Sequence, residues 1–579
     1  MKPRAKSFLG EKFDVVIIGG GACGVAIARE CARHHMRTLV LEQNDFCSGS
    51  TSRSTRIVHG GLHALEHGEI DMVRASLREQ QRLLKDPQQL VKPLQFLLAS
   101  HIKHGSRLGN SLALRTALWV HQWLRRGMES DHCLPIDTRV FESNLDRGRK
   151  WNTFAYEDAQ CEFPERLVTE WLVESIAAGG EAGNHTEVLA INRNFGKVTG
   201  VRVRETLTHA EGEIKAPWVI NAAGPWVDHV LRTSNVGVER LVNGVRGTHL
   251  VLPTFMTAPK CAVQTRELDG SSLFVIPWND QLLVGTTAVP DRGDPASPEP
   301  SSIEIEQLMG RFTALFPDAG LTKADIRYVF AGIRPLPTSS GNQASSTHQI
   351  KPVLHHHCEE GAIGLISVIG VTLSTAMEVA RKVVRKAGAA IPAAQIALAA
   401  PATEEELDSS LQQWAYMVAA KAGVSNSVAQ VITEWYGREA MNVAQIASLD
   451  ERLREPICQH TLHLVAEAVH AFREEYAVTL ADILLRRVPV ALGPCWSKAC
   501  SHDAATKIGM AVGWEQEEIS RQFEILEEER QSFLHPDFCG WQPAFAIRRA
   551  GAGNAQAPRA AEEKSMDPLP DQLPRREVA

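Results

Sequence analysis

Gly19, Gly21 and Gly24 stand in GGGACG directly after the apolar run of residues 13–18 and open an Ala-rich helical stretch that runs to about His34. In a strand–turn–helix unit the first glycine permits the tight turn. The second lets backbone approach a pyrophosphate, and the third lets the helix pack on the strand. The helix N-terminus adds free N–H groups and a partial positive charge, so the chemistry served is the binding of a dinucleotide phosphate. A second apolar run, residues 38–41, ends in Glu42, eighteen residues after Gly24. A carboxylate there accepts hydrogen bonds from ribose hydroxyls and repels a 2′-phosphate, which disfavours NADP. An isolated glycine fingerprint is weak; strand, turn, helix, strand and acid in succession are specific.

The polar segment that follows, residues 45–65 (DFCSGSTSRSTRIVHGGLHAL), carries Ser52, Gly60 and Gly61 and is longer than an ordinary βα loop. Such a segment suits an extended flavin dinucleotide. Further on, residues 218–221 read as a strand running into the turn Ala222-Ala223-Gly224-Pro225-Trp226. Residues 271–277 and 281–286 are apolar runs split by Trp278-Asn279-Asp280, a hairpin pattern. Residues 365–369 form another buried strand, and Gly370 leads from it into a helix over 374–386.

The elements that carry these residues belong to an α/β enzyme. With 579 residues, 44% hydrophobic and 22% charged, the chain has the composition of a globular protein of several domains. A net charge of -7 argues against a nucleic-acid partner. The odd count of eleven cysteines, with no CxxC pair, fits reduced thiols and a cytoplasmic protein. No secretory leader or membrane-spanning run is legible. Beyond residue 400 only helical spacing recurs, introduced by Thr403 and Glu406 as a capping box. The expected division is residues 1–400 for the dinucleotide-binding part, 401–540 for a helical domain and 541–579 for a disordered tail.

The motifs VIIGGGACGVAIARE, SRSTRIVHGGLHALEHGE, YEDAQ (156–160), INAAGPWVD (220–228), RGTHLVLP (246–253) and AGIRPLP (331–337) together resemble the FAD-dependent glycerol-3-phosphate dehydrogenase family, within the D-amino-acid-oxidase-like flavoproteins. The resemblance implies an FAD-binding Rossmann-like domain, an inserted β-rich substrate domain and a C-terminal all-α domain. It implies hydride transfer to flavin from a secondary alcohol, with glycerol 3-phosphate or a related polyol phosphate as substrate and quinone or another electron acceptor. It places His249 as the group that takes the hydroxyl proton and Arg334 as the substrate-side cation. By its residues alone, without the family, His249 reads as a satisfied strand histidine. The cofactor-binding set the resemblance implies is Gly19, Gly21, Gly24, Glu42, Ser52, Gly60, Gly61, Val188, Ala223, Gly224, Gly332, Gly370 and Thr372.

The departures from the family pattern lie in the substrate pocket. His63 and Ala64 stand where the family has Arg-Tyr, Thr372 where it has lysine, and Thr347 or His348 where it has a basic residue. Each charge-assisted bond to a phosphate is a large fraction of a small ligand's binding free energy. A different polyol phosphate or a hydroxy acid is therefore a competing substrate, with His63 and Arg334 partly replacing the lost positive charge. Two further readings compete with alcohol oxidation: an amine- or amino-acid-oxidising flavoprotein, which would share the fold and the fingerprint, and a non-catalytic flavin-binding module.

No metal site is expected. His355, His356, His357 and Cys358 are contiguous and read as a solvated turn, and Cys495, Cys500 and His502 lack a matching second pair. Residues 111–128 mix Leu, Trp and Val with Arg115, Arg125 and Arg126. That composition suits either a helix on the inner face of the cytoplasmic membrane or a core-packed helix with a charged edge.

Overall fold

Val15–Ile18 is buried on both faces and pairs in parallel with Thr38–Leu41 on one side and Trp218–Asn221 on the other. A strand with no polar face needs cover above and below, which helices on both sides of a parallel sheet provide. The computed structural model describes residues 8–65, 68–85, 89–101, 109–125, 145–146, 148, 151–266, 272–338, 351–388 and 404–534. Its first sheet has six strands in the order Val353–His356, Leu365–Ile369, Trp218–Asn221, Val15–Ile18, Thr38–Leu41 and Glu181–Gly183, all parallel except the first. The chain moves to opposite sides after Val15–Ile18 and after Trp218–Asn221, so a crevice opens at the carboxyl ends of the strands.

A second, nine-stranded sheet is organised around the long strand Val242–Pro253. Tyr328–Pro337 pairs along it antiparallel on one side; Gln281–Gly285 and Val289–Asp291 pair on the other. The expected hairpin is present as Ser272–Trp278 and Gln281–Gly285. Its two linking residues, Asn279 and Asp280, both have positive φ (50° and 54°), the type I′ turn that matches strand twist. The expected helix over 374–386 forms as Ala376–Gly388, preceded by a 3-10 turn, Leu373–Thr375. His355 and His356 lie in the strand Val353–His356 rather than in a solvated turn; His355 pairs with Glu360 and His357 with Ser367.

The C-terminal part is helical from Glu404–Ala422 to Gln516–Gln531. The 400/401 boundary and the 541–579 tail fall outside the described residues. Two features dock the helices. Arg486 and Arg487 converge on the buried Asp45, with Arg486 Nε at 2.6 Å and Arg487 Nη1 and Nη2 at 3.0 and 2.9 Å from its carboxylate, and Asn184 adds a fourth bond at 3.0 Å. Farther along, Leu492 O accepts from Gln281 and Gly493 O from Tyr328, while Trp496 is buried against Tyr328 and Phe533.

Replacing Asp45 by Ala leaves two guanidiniums buried without their shared carboxylate, and the expected loss is about 3–5 kcal/mol of stability. Chemical denaturation of the variant and of the unaltered protein measures it; unchanged midpoints would show that water replaces the carboxylate.

Candidate functional site

The carboxyl ends of the parallel strands and one face of the second sheet enclose a cavity of about 860 Å³. At its nucleotide end, Gly19 has φ +107°, and a Cβ there would sit 2.6 Å from Ala222 O. A Cβ on Gly24 would lie 1.8 Å from Gly19 O, so this glycine serves helix–strand packing and does not line the cavity. Gly21 is the N-cap of Ala22–Arg33 and has no capping side chain, which leaves the helix end open toward the cavity. Thr51 Oγ1 takes the N–H of Ala22.

Glu42 accepts from Gly20 N at 2.7 Å and from Asn44 N at 3.0 Å. Burial raises its pKa, and these two N–H groups work against the shift. Each carboxylate oxygen keeps a lone pair for a ribose hydroxyl. Gly61, Val188, Ala223, Gly224, Gly332, Gly370 and Thr372 also line the cavity. Gly370 has φ +75°, and Thr372 caps the turn after it, with its hydroxyl against Ser374 and Thr375.

Three expected cofactor positions have other local roles. Ser52 does not line the cavity; its hydroxyl donates back to Gly49 O at 3.1 Å within the loop. Gly60 also lies off the wall, because its missing side chain faces Leu77, His121 and Gln80 and its N–H donates to Asp158 at 2.7 Å. Asp158, in YEDAQ, also meets His59 at 3.2 Å and Gln80, and so braces the HGG turn. Gly332 is on the wall, yet a Cβ there would meet Arg53 Cβ at 2.6 Å and Arg53 O at 2.8 Å. It makes room for Arg53.

The second sheet supplies the other end. Register places His249 opposite Phe330, Gly247 opposite Gly332 and Val245 opposite Arg334. Alternation puts all six on one face. Arg246 and Thr248 face the other way and bind Glu304, at 2.8 and 2.9 Å. The motif RGTH thus reads as two braces, one open position and one presented imidazole.

His249 is 3% exposed and stacks on Phe330 with ring centroids 5.1 Å apart. Gly285 leaves it space, since a Cβ there would lie 2.4 Å from His249 Cδ2. Neither ring nitrogen has a hydrogen-bond partner of normal geometry among the described residues. Burial, then the positive charges of Arg56 and Arg334, push its pKa down to about 3, so the imidazole is neutral.

Arg56 is neutralised by a bidentate pair with Glu165 (3.0 and 3.1 Å) and stacks on Trp278 at 4.5 Å. Arg334 and Arg53 are different. Both line the cavity, both have pKa values lowered by burial, and neither guanidinium has an ion pair or hydrogen bond among the described residues. Arg53 is held over the Phe533 ring at 4.4 Å, and its loop is tied to the Arg334 strand by Ser50 Oγ donating to Ile333 O at 2.6 Å. Sequence reasoning missed Arg53. Its only local signal was its place in the Ser/Thr-rich segment SRSTR. Thr347 lies outside the described residues, as do the side chains of His63 and Ala64.

A family model described as FAD dependent oxidoreductase matches residues 14–377, more than half of the chain. The chain belongs to the FAD-dependent oxidoreductase family. As a member of that family it is an FAD-dependent enzyme, and the glycine cradle, the open helix end and Glu42 suit that cofactor. A second model, the C-terminal domain of alpha-glycerophosphate oxidase, matches residues 400–519. The chain is 29% identical over 559 residues to a glycerol-3-phosphate dehydrogenase of Synechocystis sp., covering 91% of this chain and 98% of that one. It is 29% identical over 586 residues to glycerol-3-phosphate dehydrogenase 2 of Mycobacterium bovis, covering 97% and 94%. The glycerol-3-phosphate dehydrogenase from Bacillus halodurans, solved with FAD, shares the fold with a TM-score of 0.71 at 23% identity, over 93% of this chain and 97% of that one.

The depressed His249 value has a consequence for stability. An unfolded-state histidine takes up a proton below its ordinary value of 6.5, whereas the folded imidazole resists until about 3. Acidification through that window therefore favours unfolding, by about 2 kcal/mol between about pH 7 and about pH 5. His249→Gln removes this dependence, and the difference between the two proteins' denaturation midpoints should shrink or reverse as pH falls; a constant difference would contradict the buried neutral imidazole.

Proposed function

We propose that the protein oxidises the secondary alcohol of a polyol phosphate, with glycerol 3-phosphate, the substrate in the names of its relatives, as the first candidate. The observation that carries this reading is the pair of half-buried guanidiniums, Arg53 and Arg334, without an ion pair among the described residues, in the cavity that the neutral His249 also lines. Two such cations without a carboxylate favour a ligand that brings two negative charges, and guanidiniums bind phosphate in a forked geometry.

Gly19, Gly21, Glu42, Val188, Ala223, Gly224, Gly370 and Thr372 are the residues we assign to holding FAD, with Gly24 acting through helix packing. Bound FAD supplies the two-electron acceptor for the hydrogen leaving carbon. The chain's residues do the rest. Arg334 and Arg53 bind and orient the phosphate. His249, a neutral imidazole, accepts the hydroxyl proton at a ring nitrogen. Burial and then the charges of Arg56 and Arg334 hold the imidazole's proton affinity down; the substrate's negative charge offsets the second contribution, so binding itself makes His249 a stronger base. Thr372 brings no charge to the cavity, and Arg53 is the cation we assign in compensation for the missing lysine.

Anaerobic addition of glycerol 3-phosphate should bleach the flavin band. Arg334→Ala and Arg53→Ala should each weaken half-saturation by about 10-fold or more, the loss of one charge-assisted bond, while Arg53→Lys should recover part of it. Bleaching only by a hydroxy acid or an amino acid would move the assignment to a carboxylate substrate.

We also propose that the electrons pass to a membrane quinone. Helix Gly109–Arg125 exposes Trp119 (60%) and Trp123 (52%) one turn apart, while Arg125 is engaged by Glu157. Paired exposed indoles suit a lipid interface, and among the described residues no helix is long and apolar enough to cross a membrane. The protein should float with anionic liposomes and lose that property on Trp119→Ser/Trp123→Ser. Flotation unchanged by the double substitution would remove the helix from this role.

A further inference from the structure

Away from the cavity, Cys458, His460, Cys495 and Cys500 bring their Sγ and Nδ1 atoms together, all within 4.8 Å of one another. The separations are 3.9 Å for Cys458–Cys495, 3.4 Å for Cys495–Cys500 and 3.3 Å for Cys500 Sγ to His460 Nδ1. Tetrahedral zinc with bonds of about 2.3 Å to sulfur and about 2.0 Å to nitrogen has ligand–ligand edges of about 3.8 and 3.6 Å. A disulfide would hold two sulfurs at about 2.05 Å and leave the third thiol and the imidazole without a reason to converge.

We propose that these four residues form a closed Cys3His zinc site. Three thiolates and one imidazole suit zinc among the common divalent ions, and four protein ligands leave no open position, so the site is structural. Local geometry supports it. Cys458 and His460 lie on a tight turn closed by the Pro456–Leu464 bridge and the Ile457 N to His463 O bond of 2.8 Å. Cys500 sits in the first turn of helix Lys498–Val512, where Ser497 accepts its N–H. The Lys507 ammonium bonds Pro456 O at 3.1 Å and Asp503 at 3.0 Å, tying the same helix to the turn that carries Cys458.

The site has a definite task in the fold. Cys495 is flanked by the residues that dock onto the substrate-side sheet: Gly493, whose carbonyl takes the Tyr328 hydroxyl at 2.8 Å, and Trp496, packed on Tyr328. Tyr328 lies on the strand that also carries Phe330, the ring behind His249. Zinc would clamp this docking segment to the turn at Cys458 and to the helix at Cys500. His502, which the cysteine spacing brought into consideration, instead meets Phe523 edge-on, with ring centroids 5.2 Å apart.

The test uses untagged holoprotein produced with zinc in the medium. Elemental analysis should find one zinc per chain, and growth with cobalt in its place should give the red-region d–d absorption of a tetrahedral thiolate complex, clear of oxidised flavin. Cys458→Ser and Cys500→Ser should lose the metal and lower the melting temperature, whereas His502→Ala should keep it. These readouts do not depend on activity, and the first two need no variant. Metal-free protein whose cobalt-grown form lacks red-region absorption, a Cys495–Cys500 disulfide found by peptide mapping, or full zinc in Cys458→Ser would each overturn the proposal.

Discussion

Asp45 is the joint of the molecule. It lies just after the strand Thr38–Leu41, and its buried carboxylate receives Arg486 and Arg487 from the helical domain. A buried carboxylate is tolerated only when charge and hydrogen bonds replace the water it has lost. Satisfying it pins the loop that follows, and that loop sends Thr51 to the helix N-terminus, Ser50 to the Arg334 strand and Arg53 into the cavity. Nearby, Asp482 holds His185 at 3.0 Å. Burial disfavours the imidazolium there, yet the carboxylate outweighs it and the pKa of His185 is raised. One electrostatic knot therefore sets the distance between the nucleotide end and the substrate end.

The substrate end works by opposite treatment of like charges. Arg56 is paired, stacked and spent on structure. Arg53 and Arg334 have no ion pair among the described residues while partly desolvated, which is costly in the free protein and favourable once an anion arrives. Burial first, and then the charges of Arg56 and Arg334, keep His249 deprotonated, so an anion bound beside Arg334 also raises the proton affinity of the base. Backbone alternation in RGTH and AGIRPL makes the arrangement possible, by turning Arg246 and Thr248 to Glu304 and leaving His249, Gly247, Gly332 and Arg334 on the cavity face.

The cysteines show a second logic. Cys31, Cys47 and Cys161 are buried with thiol pKa values raised by burial, to about 12 for Cys31, and behave as small apolar fillers. The three in the helical domain instead converge with an imidazole where two turns and a helix start meet. Residue type alone does not separate these roles; the company each thiol keeps does.

By itself the sequence determined the nucleotide fingerprint, the acid at Glu42, the parallel strands and the helical C-terminal part, because each is written in contiguous residues whose spacing has a direct steric or periodic meaning. His249 and Arg334 were singled out by the family resemblance of RGTH and AGIRPL and not by spacing, since by its residues alone His249 reads as a satisfied strand histidine. Tertiary structure alone decided which face each loop residue presents: Ser52 and Gly60 turn away from the cavity, Gly332 yields its space to Arg53, and Arg53 itself reaches the wall. It also decided that Cys495 and Cys500 meet Cys458 and His460, which stand some 40 residues earlier in the chain. Local pattern carries turn and strand geometry, whereas side-chain direction in an irregular loop and convergence across a domain depend on packing against residues far away in the chain.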